Sequence, residues 1–137
     1  MRTLLLISLF VILKISNCTE QKSILQTGIE TINFGSGGGF TGLVTTYSIS
    51  TDGQLIKIEK EKKTTLKTID KKTLKEIFEK ANELKSYQFN QPENMYSFIE
   101  IQTKENKQNI TWGFGSTKVD NRVTELYNKL INLTKQS

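Results

Sequence analysis

Apolar and polar residues alternate along five stretches of the chain, and this period of two predicts β-strands. The stretches cover residues 29–34, 43–50, 55–59, 97–103 and 109–114. In the second stretch Leu43 shares a face with Ile49, and in the last stretch Phe114 shares a face with Trp112. Because the connections between neighbouring stretches are short, we expect these strands to pair in antiparallel fashion.

Two segments between the stretches predict turns or loops. Asp52-Gly53 separates the second stretch from the third. An Asp-Gly pair between two strand patterns suits a type I′ turn, in which both central residues have positive φ. A hairpin is therefore predicted at this point. Residues 87–96 contain the single proline of the chain, Pro92, and are predicted to form a loop.

Two further stretches repeat apolar residues at offsets of 0, 3, 4, 7 and 10, which places these residues on one face of an α-helix. Asp70 stands before the first stretch and Asp120 before the second, where a side-chain oxygen can cap the first turn. The first helix is expected to end near Lys85. The apolar positions are Leu74, Ile77, Phe78, Ala81 and Leu84 in the first helix, and Val123, Leu126, Tyr127, Leu130 and Leu133 in the second.

The predicted elements follow one another in the order β-β-β-α-β-β-α. Each helix has one apolar face, which must be buried against another element. We therefore predict an α+β fold with two layers. One layer is an antiparallel sheet of about five strands, and the other consists of two helices packed on one face of that sheet.

The first residues of the chain have the pattern of a secretory signal peptide. A short positive start, residues 1–3, precedes a ten-residue apolar run, 4–13, which Lys14 ends. Ten residues suit the apolar part of a signal peptide and are too few for a helix that spans a bilayer. Residues 1–17 are accordingly predicted to be removed on export.

The single cysteine, Cys18, directly follows this segment. Ile15, Ser16 and Cys18 resemble the lipobox of bacterial lipoproteins, in which an aliphatic and a small residue precede the lipid-carrying cysteine. Asn17 stands where the lipobox usually has glycine or alanine. The resemblance implies that Cys18 becomes the N-terminus and carries the lipid. The alternative is ordinary cleavage nearby, which would leave a free thiol in an oxidising compartment.

Such an N-terminus implies a place in the bacterial cell envelope. An acidic residue after the lipid-carrying cysteine can signal retention in the inner membrane, so Thr19 favours the outer membrane. Residues 18–27 are polar except for Ile24 and Leu25, and we predict that they form a tether between the lipid and the domain. Residues 28–137 are predicted to form one domain.

The chain is mildly basic, with 19 Lys and Arg residues against 14 Asp and Glu residues in a length of 137. Lysines alternate with glutamates along residues 57–63, and this mixed pattern is typical of a solvent-exposed surface. A nucleic-acid interface would need clustered basic residues with aromatic residues between them. After removal of residues 1–17, Arg122 is the single arginine left. Nucleic acid is therefore excluded as a partner.

The composition excludes several kinds of catalytic site. The chain has no histidine, so neither a Ser-His-Asp nor a Cys-His arrangement can form, and the commonest zinc ligand is missing. Carboxylate pairs could still form from Glu59, Glu61, Glu100 and Glu105, but hydrolysis by such a pair needs a sheltered cleft. We expect these four side chains to face solvent among lysines. The protein is predicted not to be an enzyme, and neither a metal nor a cofactor is expected.

Glycine is concentrated in one segment, since five of the nine glycines lie within residues 34–42. Such a cluster permits positive φ and close backbone approach, and we expect it to form the crossing between the first two strands. The candidate binding residues in it are Gly37, Gly38, Gly39, Phe40, Thr41 and Gly42. These residues match the dinucleotide-binding pattern G-x-G-x-x-G, but a strand pattern follows them instead of a helix, which excludes that function. In an alternative interpretation, Phe34 and Phe40 pack beneath the loop as core residues.

Residues 38–42 resemble a segment of the emfourin family, whose members are small bacterial inhibitors of thermolysin-like metalloproteases. The family has Gly-Gly-Phe-Ala-Gly after its first strand, and Thr41 replaces the alanine here. The likeness continues through the helix at 74–84, the strand at 96–101 and the terminal helix at 120–133, and so covers most of residues 28–134. It implies the α+β fold and an inhibitory function, with Phe40, Thr41 and the flanking glycines as contacts. Family members are often cytoplasmic and lack a signal peptide, whereas residues 1–17 of this chain have the pattern of one.

Together these features predict a lipid-anchored, non-enzymatic binding module of the cell envelope. The module would contact the membrane through its N-terminal lipid. Its protein partner at the glycine-rich loop would be a thermolysin-like metalloprotease, as the resemblance implies. A rigid loop that presents an apolar side chain lowers the entropy cost of such an association. The alternative is a structural or accessory envelope lipoprotein with no specific protease target.

Overall fold

The computed structural model describes residues 21–135. The predicted signal peptide, the predicted lipid site at Cys18 and residues 19–20 lie outside this range. Residues 21–135 form three helices and seven strands. The elements are α1 (21–26), β1 (Ile29–Gly38), β2 (Thr45–Ser50), β3 (Gln54–Glu59), β4 (Lys62–Thr68), α2 (Lys71–Glu83), β5 (Phe89–Gln91), β6 (Met95–Thr103), β7 (Lys107–Gly113) and α3 (Asn121–Lys135).

The strands form one seven-stranded sheet in the order β4-β3-β2-β1-β6-β7-β5. All neighbours pair in antiparallel fashion except β5, which runs parallel to β7. The α+β class is thus confirmed, whereas the antiparallel sheet of about five strands and the two helices are wrong in detail, because the described residues form a mixed sheet of seven strands and three helices. The sequence pattern missed β4 and β5, and it assigned β5 to the loop at 87–96. Both are edge strands, with little apolar alternation to mark them.

One face of the sheet carries the hydrophobic core. Ile32 lies at the centre of this face, between Ile49 on β2 and Ile101 on β6 in the strand register. The apolar stripes of α2 and α3 cover these side chains, and the residues buried from both helices and from the sheet form a single cluster. The predicted helical positions Leu74, Ile77, Phe78, Ala81, Leu84, Val123, Leu126 and Leu130 are all buried in it.

Residues 21–27 belong to the domain, so the prediction that they form part of a tether is wrong. Ile24 of α1 is fully buried in the core. The Thr27 hydroxyl donates to the Ile24 carbonyl oxygen at 2.7 Å, and the Lys85 ammonium group donates to the Thr27 carbonyl oxygen at 2.7 Å. The segment is too short to show a helical repeat, and a single buried isoleucine holds it in place.

The hairpin predicted at Asp52-Gly53 is confirmed, but its turn is not of type I′. The Gly53 N–H donates to the Ser50 carbonyl oxygen at 2.9 Å. Gly53 has a φ of +86°, whereas the φ of Asp52 is not positive, as a type I′ turn would require. The Asp52 carboxylate accepts from the Ser50 hydroxyl and from the Gln54 N–H, which lowers the pKa of Asp52. The connection is therefore a three-residue loop with glycine at its left-handed position.

Both predicted helix caps are confirmed. Asp70 accepts a hydrogen bond from the Thr73 N–H at 2.9 Å, and Asp120 accepts one from the Arg122 N–H at 2.9 Å. The Asp120 carboxylate also binds the Arg122 guanidinium group at 2.8 Å. Each carboxylate satisfies an N–H group that has no partner within its helix, which stabilises the first turn.

The Asp120–Arg122 pair predicts a loss of stability in acid. Its hydrogen bonds with the guanidinium group and with the Arg122 N–H lower the pKa of Asp120 from 3.8 to about 2. Since the folded-state pKa is depressed, the stabilisation is present above about pH 4 and is lost as the pH falls toward 2. We expect the difference in unfolding free energy between the wild type and Asp120→Asn, which keeps a capping oxygen, to shrink over that range. Urea unfolding at a series of pH values measures it, and a pH-independent difference would contradict the assignment.

Candidate functional site

The glycine-rich segment forms a tight connection between β1 and β2. The Gly39 N–H donates to the Asn94 carbonyl oxygen at 2.7 Å, and the Gly42 N–H donates to the Gly39 carbonyl oxygen at 3.2 Å. Residues 39–42 thus form a turn, with Phe40 at its tip. The Phe40 side chain is fully exposed, whereas Phe34 is fully buried. The alternative in which both rings pack as core residues is therefore wrong for Phe40.

The candidate binding residues lie at one end of the sheet. Gly37 and Gly38 are the last residues of β1, and Gly39, Phe40, Thr41 and Gly42 make the turn. After Gly42 the chain continues into β2 and not into a helix, as the sequence pattern predicted. The dinucleotide-binding arrangement, in which the last glycine opens a helix, is thus not formed.

Close packing requires glycine at the end of β1. A Cβ atom at Gly37 would lie 2.7 Å from the Tyr96 hydroxyl oxygen and 2.9 Å from a methyl carbon of Val44. Gly38 has a φ of +92°, and a Cβ atom there would overlap the carbonyl oxygen of Asn94. The glycines therefore let β1, the turn and the segment before β6 approach one another, which holds the turn in one position.

Five exposed apolar side chains surround this turn, and together they are called the apolar end: Phe40, Leu43, Val44, Met95 and Phe114. They make up five of the seven large apolar side chains that are exposed among residues 21–135. The other two, Leu25 and Leu66, lie elsewhere in the fold. A concentration of exposed apolar surface at one place is typical of an interaction site, whereas single exposed apolar residues are common on any protein.

A groove of about 470 Å³ runs between the apolar end and α3. Leu43, Met95 and Phe114 line one side of it, and Tyr127 and Ile131 of α3 line the other. Among residues 21–135, no charged residue lines the groove. The Tyr127 hydroxyl donates to the carbonyl oxygen of residue 35 at 3.0 Å, and its ring meets that of Trp112 edge-on at 5.1 Å. These contacts hold α3 against the sheet on that side of the groove.

Three predicted strand residues belong instead to the apolar end: Leu43, Val44 and Phe114. Leu43 lies before β2 and is exposed, so it does not share the buried face of Ile49. Phe114 follows the last residue of β7 and is exposed, whereas Trp112 is buried. The alternating pattern continues past the end of each strand, and it carries no information on where the pairing stops.

Val44 and Met95 are site residues that the sequence pattern missed. A methyl carbon of Val44 lies 2.9 Å from the position that a Cβ atom would take at Gly37, and Met95 pairs with Gly38 in the register of β1 and β6. Their positions depend on the pairing of distant segments. A valine within a strand pattern, or a methionine just before one, gives no signal of exposure, so only the tertiary structure places them at this end.

The structure places the candidate carboxylates on two separate hairpins. Glu59 and Glu61 lie on the hairpin of β3 and β4, while Glu100 and Glu105 lie on the hairpin of β6 and β7. Strands β3 and β6 are separated by β2 and β1, which at the usual strand spacing is about 14 Å. Glu100 accepts from the Asn33 amide group at 2.8 Å and pairs with Lys107 at 2.8 Å. The distance of about 14 Å between the two hairpins exceeds the separation of the two carboxylates in a hydrolytic pair.

Two further properties of residues 21–135 bear on the site. These residues contain no group of three or more His, Cys, Asp or Glu side chains placed to hold a metal ion. None of the helices described here has the length and apolar character to cross a membrane.

Comparison with known proteins adds no relative. No protein-family model matches the chain, and no curated protein is significantly similar to it. The resemblance to emfourin, which is carried by residues 38–42 and by the order of elements, therefore stays a prediction.

Proposed function

We propose that this protein is a non-enzymatic binding module that holds a protein partner with its apolar end. A lipid on Cys18 anchors it in the bacterial cell envelope, at the outer membrane. One observation carries the proposal. The exposed apolar side chains of residues 21–135 are concentrated around a single turn, at whose tip the Phe40 ring has no covering residue.

The turn is ordered before any partner binds. Backbone hydrogen bonds from Gly39 to Asn94 and from Gly42 to Gly39 close it, and the glycines at the end of β1 pack against neighbouring backbone and side chains. Binding of a partner therefore does not carry the entropy cost of ordering a flexible loop. Aromatic side chains that enter a partner's pocket commonly contribute most of the binding energy in such interfaces, which gives Phe40 the central role.

The chemistry of the apolar end defines the contact surface of the partner. The part of the chain that the structure describes contributes only uncharged residues to the groove beside the turn, among them Leu43, Met95 and Phe114. It therefore suits an apolar side chain of the partner, while Phe40 enters an apolar pocket. The resemblance of residues 38–42 to the emfourin family implies that the partner is a thermolysin-like metalloprotease. The binding module would act as its inhibitor.

Replacing Phe40 by aspartate tests the proposal. Because the ring is exposed, we expect Phe40→Asp to leave the free energy of unfolding nearly unchanged. Loss of an aromatic anchor costs about 2 kcal/mol or more, so the inhibition constant for a thermolysin-like metalloprotease should rise by about 30-fold or more. Titration of the protease with the purified protein measures this constant.

Leu66→Asp is the matched control for this experiment. Leu66 is also an exposed apolar residue, but it lies on β4, away from the apolar end. We expect this variant to inhibit as the wild type does. Equal inhibition by the wild type and Phe40→Asp would exclude the apolar end as the interface. Absence of any protease binding by the wild type would instead favour the structural or accessory envelope lipoprotein.

A further inference from the structure

One edge of the sheet is open along a full-length strand. Strand β4 lies at that edge, and its seven residues pair with β3 on one side only. On its other side, the outward-pointing N–H and C=O groups have no neighbouring strand among residues 21–135. The opposite edge of the sheet differs, because β5 has only three residues. Strand β4 therefore offers the longer row of backbone donors and acceptors to another chain.

The side chains of this edge are positively charged. Strand β4 contains three lysines and no acidic residue. Lys62 stands opposite Glu59 in the register of β3 and β4, but the Glu59 carboxylate already binds the Lys57 ammonium group at 2.8 Å. Lys63 stands opposite Ile58, which has no charge to offer. No salt bridge within residues 21–135 includes Lys62 or Lys63, so both ammonium groups are open to an acidic partner.

The geometry of a strand edge favours a second extended chain as the source of the negative charge. Consecutive residues of a strand point to opposite faces of the sheet, so Lys62 and Lys63 extend on the two sides of the edge. A strand added in the plane of the sheet places side chains on both faces, and its backbone satisfies the N–H and the C=O groups of β4 alike. A phosphate group of a lipid or a nucleic acid, in contrast, only accepts hydrogen bonds.

This chain does not itself supply a suitable acidic strand. Pairing the β4 strands of two copies would place lysine-bearing strands side by side, and like charges on neighbouring strands are destabilising. Outside residues 21–135 the sequence has one acidic residue, Glu20. The occupant of the edge must therefore come from another protein.

We infer that β4 binds an extended, acidic segment of another protein, which adds to the sheet as a further strand. Main-chain hydrogen bonds give this association its affinity, and carboxylates beside Lys62 and Lys63 give it specificity. The interface is separate from the apolar end and does not rest on the function proposed for it. At the usual strand spacing, β4 lies about 14 Å from β1, whose last residues lead into the turn that carries Phe40.

A peptide complementary to β4 tests this inference. Its sequence is that of β4 in reverse order with glutamate in place of each lysine, so that antiparallel pairing sets a carboxylate beside every lysine. Fluorescence anisotropy of the dye-labelled peptide, titrated with the purified protein, gives its Kd. A second peptide has glutamine in place of glutamate, and a third keeps the glutamates but has methyl groups on alternate backbone nitrogens, which block its hydrogen bonds. We expect both to bind about tenfold more weakly or worse.

Charge reversal in the protein provides the second measurement. Lys62→Glu combined with Lys63→Glu should raise the Kd of the glutamate peptide by about tenfold or more. The matched control, Lys71→Glu combined with Lys72→Glu, makes the same change in net charge at two exposed lysines of α2 and should bind the peptide as the wild type does. Circular dichroism of both double variants checks that they are folded.

Three results would overturn the inference. If the glutamate peptide does not bind at millimolar concentration, the lysines serve only to keep the edge of the sheet from pairing. If the peptide with methylated backbone nitrogens binds equally well, charge alone attracts it and no strand is added. If the two double variants weaken binding equally, the net charge of the protein and not β4 holds the peptide.

Discussion

Replacing Phe34 by alanine is expected to lower the free energy of unfolding by about 3 to 5 kcal/mol. Phe34 is fully buried on β1, the central strand of the seven-stranded sheet. Its ring stacks on that of Tyr47 at 5.5 Å, and Ile99 pairs with it on the other side. Domains of this size are stable by only about 5 to 15 kcal/mol, so the variant should lose a large part of its stability. Urea unfolding followed by circular dichroism measures the loss.

Phe40→Ala is the control, because it removes the same side chain six positions later. The Phe40 ring is fully exposed, so truncating it should change the free energy of unfolding by no more than about 0.5 kcal/mol. The two phenylalanines thus separate stability from binding: Phe34 serves the core, and Phe40 serves the proposed interface. Similar losses in the two variants would show that Phe40 is packed against the domain in solution.

The contrast between these two residues shows where the sequence pattern stops being informative. The alternation along residues 29–34 places Phe34 on the same face as Ile32, and the structure buries both side chains. Beyond Phe34 the glycines end the alternation, so no period assigns Phe40 to a face. Its exposure follows from the turn at residues 39–42, whose shape depends on the hydrogen bond to Asn94, more than fifty residues away along the chain.

Helices and caps could be predicted because their causes are local. The apolar stripe from Leu74 to Leu84 and the cap at Asp70 involve residues that are close in the chain, so the pattern contains the whole signal. Strand β4 has the opposite character. It forms the sheet edge, its residues are mostly exposed, and Leu66 is its one apolar residue. Its lysines suit an edge strand, but the same composition is typical of a solvent-exposed loop.

The candidate site was predictable only in part. The density of glycine marked residues 37–42, because glycine is the residue that best permits close backbone approach and positive φ. The rest of the apolar end comes together through the sheet. Met95 reaches Gly38 through the register of β1 and β6, and the Phe114 N–H donates to the Met95 carbonyl oxygen at 2.9 Å. Each contact joins distant segments, so tertiary structure and not local pattern assembles the surface around Phe40.

The second large effect is expected from Gly38→Ala. Gly38 has a φ of +92°, which is strained for a residue with a Cβ atom, and that atom would overlap the Asn94 carbonyl oxygen. Backbone strain and overpacking together should cost about 2 to 5 kcal/mol. The chain can relieve this overlap only by separating β1 from the segment before β6, which would break the hydrogen bond from the Gly39 N–H to Asn94. We therefore expect a lower free energy of unfolding, together with faster hydrogen exchange at the Gly39 amide.

Gly42→Ala is the matched comparison for Gly38→Ala, because it separates dihedral strain from lack of space. Gly42 also has a positive φ, +60°, but apart from its two neighbours in the chain no atom of residues 21–135 lies within 4 Å of the position of a Cβ there. Its cost should be about 1 to 2 kcal/mol, from the left-handed conformation alone. If close packing at Gly38 holds the turn in place, protease inhibition should fall markedly in Gly38→Ala and little in Gly42→Ala. Equal effects of the two variants on stability and inhibition would show that positive φ, and not the approach of β1 to Asn94, is the reason for glycine at the apolar end.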